Sequence, residues 1–539
     1  MSEVPRVYSG GRLKGAPKRR NTARRRFGCG RFLVLIILVV FAYAAWTTRD
    51  SCSIARLTPA DQKYRVEFTD LLNARQRIAQ SAVWQALPES TPLARVRDTL
   101  AQELALPAGL PGAVPDWILN NLFHQGLYVT GNDLAAFSDV LVLTKMSRVG
   151  TLIERLHGFV PGIERDSAGG LELRRLPDPG LYYAVRGRVL ALSPSRSALV
   201  TALALAPEEA LGDDALLIGH GAAGSEDVRG TLTLSEGDPA GDVFESIRFA
   251  AYVDAAAAHV KCRAKLRPAC REQWDALLAG VSPQRLVPPP DGMLVVSANF
   301  GKSVRDLWAA LGQGLDAPIL SEEEWVAWES PAEGESPGLA AFFTRLLGPL
   351  GPGIRLSWCG LDVNEMFPTP EIVGTFDAPE DALDRFVAAL PAIPEGTPEW
   401  ASVPRFDEGS RRLRLPMIGG PSIEPTAGPH RDGLLLSTSR TAAERFLDSP
   451  GPEPAAIPGP GNLYVCIRPY ACVERIAEAG RLLAKENLIR GHTFDSFDAM
   501  ACQWLACAAG IDQVRAIAAV DGGEITLDVE MSCTARTSE

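Results

Sequence analysis

Hydrophobic positions along this chain fall into two patterns. Short apolar runs bounded by turn residues read as strands, and stretches with apolar residues three and four apart read as amphipathic helices. Leu181–Val185 and Val189–Leu192 flank a turn at Arg186–Arg188, and Val514–Val520 and Glu524–Met531 flank Asp521-Gly522-Gly523, so each pair predicts a β-hairpin. Ile247–Val253 runs into a string of alanines, and Leu463–Ile467 runs into Ala471–Leu483; both predict a strand followed by a helix. Strands that alternate with helices, with frequent hairpins, imply an α+β fold with mixed or antiparallel sheets.

The pattern repeats. LALSPSRSA (Leu190–Ala198) and LLLSTSRTA (Leu434–Ala442) share Leu, Leu, Ser, Ser, Arg and Ala at matching positions. Each reads as strand, cap and helix, with Ser193 or Ser437 as the predicted N-cap and Pro194 at the first helical position. In the same order, Val140–Leu156 resembles Glu371–Phe386, and Trp84 in SAVWQALPE pairs with Trp308 in RDLWAALGQ. Three pairs in one order predict a duplication. The first α+β repeat is expected over residues 56–281 and the second over 292–533, joined at Val281–Gly292 (VSPQRLVPPPDG), where consecutive prolines favour an extended spacer.

The N-terminus departs from this pattern. Phe32–Trp46 reads FLVLIILVVFAYAAW without a charge. With snorkelling by Arg31 and extension through Thr47 and Thr48, residues 32–48 are long enough to predict a transmembrane helix. Residues 1–31 hold ten basic side chains and Glu3, a charge of +9, which leaves −20 on the rest of a chain whose net charge is −11. Positive charge before the span and a neutral Arg49-Asp50 after it predict a cytoplasmic tail, a single pass through the inner membrane and an extracytoplasmic body. Ala42-Tyr43-Ala44 also fits a signal-peptide cleavage site. The acidic body disfavours nucleic acid.

Ten cysteines follow the same topology. Cys29 lies on the cytoplasmic side, and the other nine would meet an oxidising compartment, where disulfides are the default. Close spacing makes Cys262 and Cys270 one candidate pair and leaves Cys466, Cys472, Cys502 and Cys507 as further candidates with open connectivity. A metal site is not expected: there is no CxxC, and the six histidines are scattered.

Motifs with catalytic precedent are poor fits. Gly334-Glu335-Ser336-Pro337-Gly338 has the GxSxG pattern, but Pro337 has no N–H to give to an oxyanion hole. Gly301-Lys302-Ser303 follows a strand, but Val296 stands where a phosphate-binding loop needs its first glycine. Glu322-Glu323-Glu324 reads as a solvated face, with Trp325 and Trp328 as packing residues.

On the strength of GRVLALSPSRSALV and DGLLLSTSRTAAERF, the chain resembles a loose class of bacterial membrane-anchored extracytoplasmic proteins with a duplicated α+β ectodomain. The resemblance implies architecture and compartment and carries no catalytic residue, cofactor or metal. The expected function is that of a non-enzymatic binding or scaffold protein of the bacterial envelope, tethered by its N-terminal helix. Its expected partner is another envelope protein, docked at the face between the repeats. The alternative is an extracytoplasmic hydrolase with its site in the same place.

Overall fold

The computed structural model describes residues 43 and 45–534 with the exception of 70, 87–115, 125, 134–138, 158–163, 169–170, 177–179, 213–225, 236–238, 278–291, 300, 302–349, 363–367, 390–404, 408–410, 416–422, 431–432 and 449–460. The strands of the first half are β1 (Tyr64–Phe68), β2 (Leu127–Gly131), β3 (Leu141–Lys145), β4 (Glu164–Ala168), β5 (Leu171–Leu176), β6 (Leu181–Arg186), β7 (Val189–Ser193), β8 (Val228–Thr233), β9 (Phe244–Val253) and β10 (Ala257–Leu266). Those of the second are β11 (Leu294–Asn299), β12 (Gly353–Asp362), β13 (Thr369–Asp377), β14 (Arg405–Phe406), β15 (Leu413–Arg414), β16 (Thr426–His430), β17 (Gly433–Ser437), β18 (Leu463–Ile467), β19 (Ile511–Asp521) and β20 (Glu524–Cys533). The helices are α1 (Leu71–Gln80), α2 (Ala82–Ala86), α3 (Asp116–Leu122), α4 (Arg148–His157), α5 (Arg196–Ala204), α6 (Pro239–Val243), α7 (Pro268–Leu277), α8 (Ala382–Ala389), α9 (Arg440–Asp448), α10 (Pro469–Lys485) and α11 (Phe494–Ala508).

All twenty described strands join one sheet, and every pairing among them is antiparallel. The pairings trace the order β4-β5-β6-β7-β3-β2-β1-β8-β9-β10 and continue as β20-β19-β18-β11-β12-β13-β17-β16-β15-β14. Each strand of the first half therefore holds the place of the strand ten numbers later in the second. The halves meet where β10 pairs with β20, Val260 opposite Val529 and Cys262 opposite Leu527. An antiparallel pair has a local two-fold axis normal to the sheet, and the matching order extends that axis over both halves.

The repeated serine segment builds the same network twice. Ser193 Oγ donates to Val140 O (2.7 Å) and accepts from Ser195 N (3.0 Å), while Ser195 Oγ caps α5 by accepting from Ala198 N (3.2 Å). Ser437 Oγ donates to Ile372 O (3.2 Å) and accepts from Ser439 N (3.4 Å), and Ser439 Oγ accepts from Ala442 N (3.0 Å). The cap is thus the second serine of each motif. The first is a strand-end residue whose hydroxyl is used by the neighbouring strand, so the expectation for Ser193 and Ser437 is corrected by two positions.

A second correspondence had no visible counterpart in sequence. Asp227 N donates to Ala251 O and Val253 N donates to Asp227 Oδ2 (2.9 Å); Asn462 N donates to Ala518 O and Val520 N donates to Asn462 Oδ1 (2.9 Å). Both side chains end a loop and pin the neighbouring strand at the same place in each half. Their second atoms differ: the Asp227 carboxylate pairs with Arg77, whereas Asn462 Nδ2 donates to Asn299 O (3.2 Å).

Other expectations are overturned. The α+β reading with mixed or antiparallel sheets gives way to one open antiparallel sheet that runs unbroken through both halves. The alanines after Val253 form no helix. Asp254 Oδ1 accepts from Ala256 N and Ala257 N, which closes a turn and returns the chain as β10. Small residues suit that turn and the tight strand pairing behind it as well as they suit a helix. The transmembrane helix at residues 32–48 is also not supported. Most of that span lies outside the described residues, and among the described residues no helix is long and apolar enough to cross a membrane. Its far end is a helical turn in which Thr47 and Thr48 are buried, and the chain then packs into the first half through Cys52, Ile54 and Leu57. Asp50 ties this segment to Lys145 (2.6 Å). Thr47 and Thr48, expected to extend the span, face protein, whereas Tyr43 and Trp46 are exposed. The proposed linker at Val281–Gly292, apart from Gly292, and both loop motifs, Gly334–Gly338 and Glu322–Trp328, fall outside the described residues, as do Trp308, Lys302 and Ser303.

Candidate binding surface at the junction of the halves

The alternation of β9, β10, β20 and β19 separates the two faces of the central sheet. On the back face one row reads Tyr252, His259, Glu530, Arg515 and the next Ala250, Lys261, Asp528, Ile517. Arg515 pairs with Glu530, and Lys261 with Asp528 (3.7 Å). On the front face the rows read Val253, Ala258, Met531, Val514; then Ala251, Val260, Val529, Ala516; then Phe249, Cys262, Leu527, Ala518; then Ile247, Ala264, Ile525, Val520. No front position carries a charge or an amide.

The two middle front rows continue outward in register. The row of Val260 passes from Ala251 to Val228 and from Ala516 to Val465; the row of Cys262 passes from Phe249 through Gly230, Val66, Val129, Val142 and Leu192, and from Ala518 through Leu463, Ala298, Ile354, Phe376 and Leu434. At the outer ends this face is covered. In the first half Met146, Tyr183 and Leu190 pack with Leu122 of α3, and in the second Phe376, Leu413 and Leu434 pack with Leu383 of α8. At the centre, cover among the described residues comes from α1, which packs against β9 with Arg77 Nε donating to Val253 O, and from α2, whose Ala82 and Ala86 meet Met531 and Cys533; Val520 at the opposite corner is also buried. Val260 stays 38% exposed and Leu527 37% exposed, although both sit mid-strand in the middle of a sheet. The back face is covered differently: α5 packs on Leu143 and Ala191, α9 on Val373 and Leu435, and α10 holds α11 through Ala477, Ala484, Phe497 and Ala501.

The cysteines named from spacing do not come together as disulfides. The nine described cysteines are all free thiols, so the disulfide expectation is corrected. Cys262 sits on the front face in mid-β10, where burial pushes its thiol up. Cys270 lies in α7 with Sγ 3.6 Å from Asp242 O. Cys466 accepts from Gln513 Nε2 (3.0 Å), Cys472 donates to Met293 O (3.4 Å), and Cys502 accepts from Arg481 Nη2 (3.7 Å). Cys507 follows Cys502 by five residues on α11, which turns the two thiols about 140° apart around the helix.

A cleft of about 620 Å³ opens beside the first serine motif, lined by Asp61, Gln62, Asn132, Asp139, Ser195, Ser197, Thr201 and Glu209 among others. Several of its groups serve the loops around it, whereas Gln62 Oε1 is buried without a partner. Asp139 Oδ2 accepts from Asn132 N (2.8 Å), Asn132 Oδ1 from Lys63 N (3.2 Å), Glu209 Oε2 from Ala206 N (3.3 Å), and Ser195 is the α5 cap. No histidine, lysine or arginine lines it, so neither serine has a base of the usual kind. Tyr64, whose hydroxyl has no partner, lies near it, pushed up to about 12 by burial and by Asp139 and Asp133.

Other ionisable groups are paired inside the sheet. Glu67 on β1 accepts from Tyr128 Oη (2.6 Å) on β2 and Arg229 Nε (2.5 Å) on β8, and Glu154 of α4 pairs with Arg174 of β5. Burial pushes the Glu154 carboxyl up against the pull of Arg174. His259 stacks on Tyr252 and reaches Asp254 Oδ2 at 3.3 Å, His430 meets the edge of Phe446, and His492 that of Phe497. Among the described residues no group of His, Cys, Asp and Glu could hold a metal ion. Gly301 adopts φ +71° and its N–H is 3.3 Å from Asn299 Oδ1, a local turn.

No protein-family model and no curated protein matches the chain. Among solved structures, crystal forms III, I and IV of TP0453 align at TM-scores of 0.23, 0.22 and 0.22 with 6%, 6% and 7% identity, covering 43%, 41% and 42% of this chain and 88%, 81% and 86% of that one.

Proposed function

We propose that this chain is a non-catalytic binding protein that docks a protein partner on the front face of β9, β10, β20 and β19. The observation that carries the reading is the register itself: apolar residues in every front position of four strands, beside a back face laced with ion pairs. A sheet buries an apolar face against a second layer, and contiguous apolar patches of several hundred Å² on a folded surface mark interaction sites. Here each residue on one face occupies about 33 Å², from a strand spacing near 4.8 Å and a two-residue repeat near 6.8 Å. The two middle rows from β8 to β18, with Ile247, Ala264 and Ile525, then amount to about 500 Å². The cleft beside the first serine motif offers a poorer site, because Asp139, Glu209 and Ser195 already hold its walls.

The test is binding of the apolar dye bis-ANS to dilute, folded protein. The expected result is enhanced fluorescence that the pair Val260→Lys and Leu527→Lys abolishes, while Lys261→Glu on the back face leaves it unchanged. A folded wild-type chain that leaves the dye dark would overturn the reading.

A further inference from the structure

We infer that the partner on this face is a second copy of the same chain; this rests on reading the front face as a docking surface. The first argument is area. About 500 Å² from each copy makes a pair burying about 1,000 Å², the level at which specific interfaces begin. The second is symmetry. The axis between the Val260–Val529 and Cys262–Leu527 pairs exchanges the two middle rows, so the patch looks alike from either end. A closed dimer needs one patch to fit itself, and a face with no charged position and an internal two-fold meets that need without a separate complementary surface. The third is layer geometry. Two twisted sheets stack face to face about 10 Å apart with interdigitated side chains, and the small residues Ala251, Ala516 and Ala518 flank Val260, Val529 and Leu527, leaving hollows for the large ones.

The geometry places Cys262 close to the centre of this interface, within about one residue of the axis. Two copies stacked face to face bring their Cys262 thiols within reach of a short bifunctional maleimide, given a sheet separation of about 10 Å.

Sedimentation equilibrium of the full chain gives the first readout, and crosslinking by bismaleimidoethane with peptide mapping the second, which needs no substitution and so no assumption about folding. The expected results are a dimer at about 100 µM, in keeping with the micromolar affinity of a small interface, and a Cys262–Cys262 crosslink. Val260→Lys with Leu527→Lys is expected to shift the protein to monomer, and Lys261→Glu to leave the dimer intact. A monomer that still binds bis-ANS would overturn the second copy as occupant and leave the docking surface standing. A monomer that also excludes the dye, because the chain covers its own face, would overturn both. A dimer crosslinked only through the α11 thiols Cys502 and Cys507 would place the contact elsewhere and overturn the inference.

Discussion

Asn462 offers the sharpest test of the strand order. It is 1% exposed, and its amide serves two backbone groups of opposite kind: Oδ1 takes the Val520 N–H and Nδ2 supplies the Asn299 carbonyl. Only an amide meets both. Asn462→Leu leaves a buried donor and a buried acceptor without partners, each costing about 1–3 kcal/mol, for a total of about 3 kcal/mol. Asn462→Asp keeps the Val520 contact but turns a carboxylate oxygen toward the Asn299 carbonyl, with an expected loss of about 3 kcal/mol at pH 8. In the first half the same place holds Asp227, and there Arg77 receives the charge. Asp227→Asn is therefore expected to cost only about 1 kcal/mol, since Arg77 is nearly half exposed and solvent screens the pair. The two exchanges, chemically mirror images, differ because their surroundings differ. pH separates them further. Burial beside a carbonyl raises the new carboxyl at 462 above its unfolded value. Its penalty is full above the folded value and fades as pH falls through it, so the loss should shrink by about half between pH 8 and pH 5. The assay is urea unfolding followed by circular dichroism at both pH values. Equal losses for Asn462→Asp and Asp227→Asn, or a loss at 462 that is the same at pH 5 and pH 8, would refute the reasoning.

Two further expectations follow from the same network and from the thiols. Ser195→Ala and Ser439→Ala should each cost about 1 kcal/mol by removing an N-cap, checked by urea midpoints; the reasoning fails if Ser195→Ala and Ser439→Ala are neutral. Alkylation in guanidinium without reductant should modify all nine described cysteines, and reductant should leave the melting temperature unchanged; a mass deficit from any pair among Cys262, Cys270, Cys466, Cys472, Cys502 and Cys507 would contradict the free-thiol assignment.

What could be read in sequence was what is local. The β6–β7 hairpin turns at Gly187 (φ +63°), and the β19–β20 hairpin at Gly522 and Gly523 (φ +57° and +82°), positions where glycine is the natural residue. Neighbouring residues specify such turns, and the serine segments stood out because a strand end, a cap and a helix must follow one another directly. The pairing of β10 with β20, of β3 with β7 and of β13 with β17 depends on chain segments far apart, and no periodicity reports it. The apolar front face is the instructive case. Its alternation is plain in β10, where Val260, Cys262 and Ala264 alternate with His259, Lys261, Arg263 and Lys265. The alanine run ahead of it favoured a helix, and that displaced the strand that carries the surface. Asp227 and Asn462 share a role but neither residue type nor flanking sequence, so their equivalence emerges only from the hydrogen bonds.

The central claim is that the front face of the junction is open to a partner in the folded chain, and Cys262 reports on it directly. Native protein, dilute enough to be monomeric, is exposed to N-ethylmaleimide and mapped by peptide mass. Cys472 and Cys533, buried and with thiols likewise pushed up by burial, set the slow limit, and exposed Cys502 sets the fast one. Cys262 is expected to be modified well ahead of Cys472 and Cys533, and to be protected as concentration rises while Cys502 is not. A Cys262 as inert as Cys472 in the dilute, folded chain would contradict it.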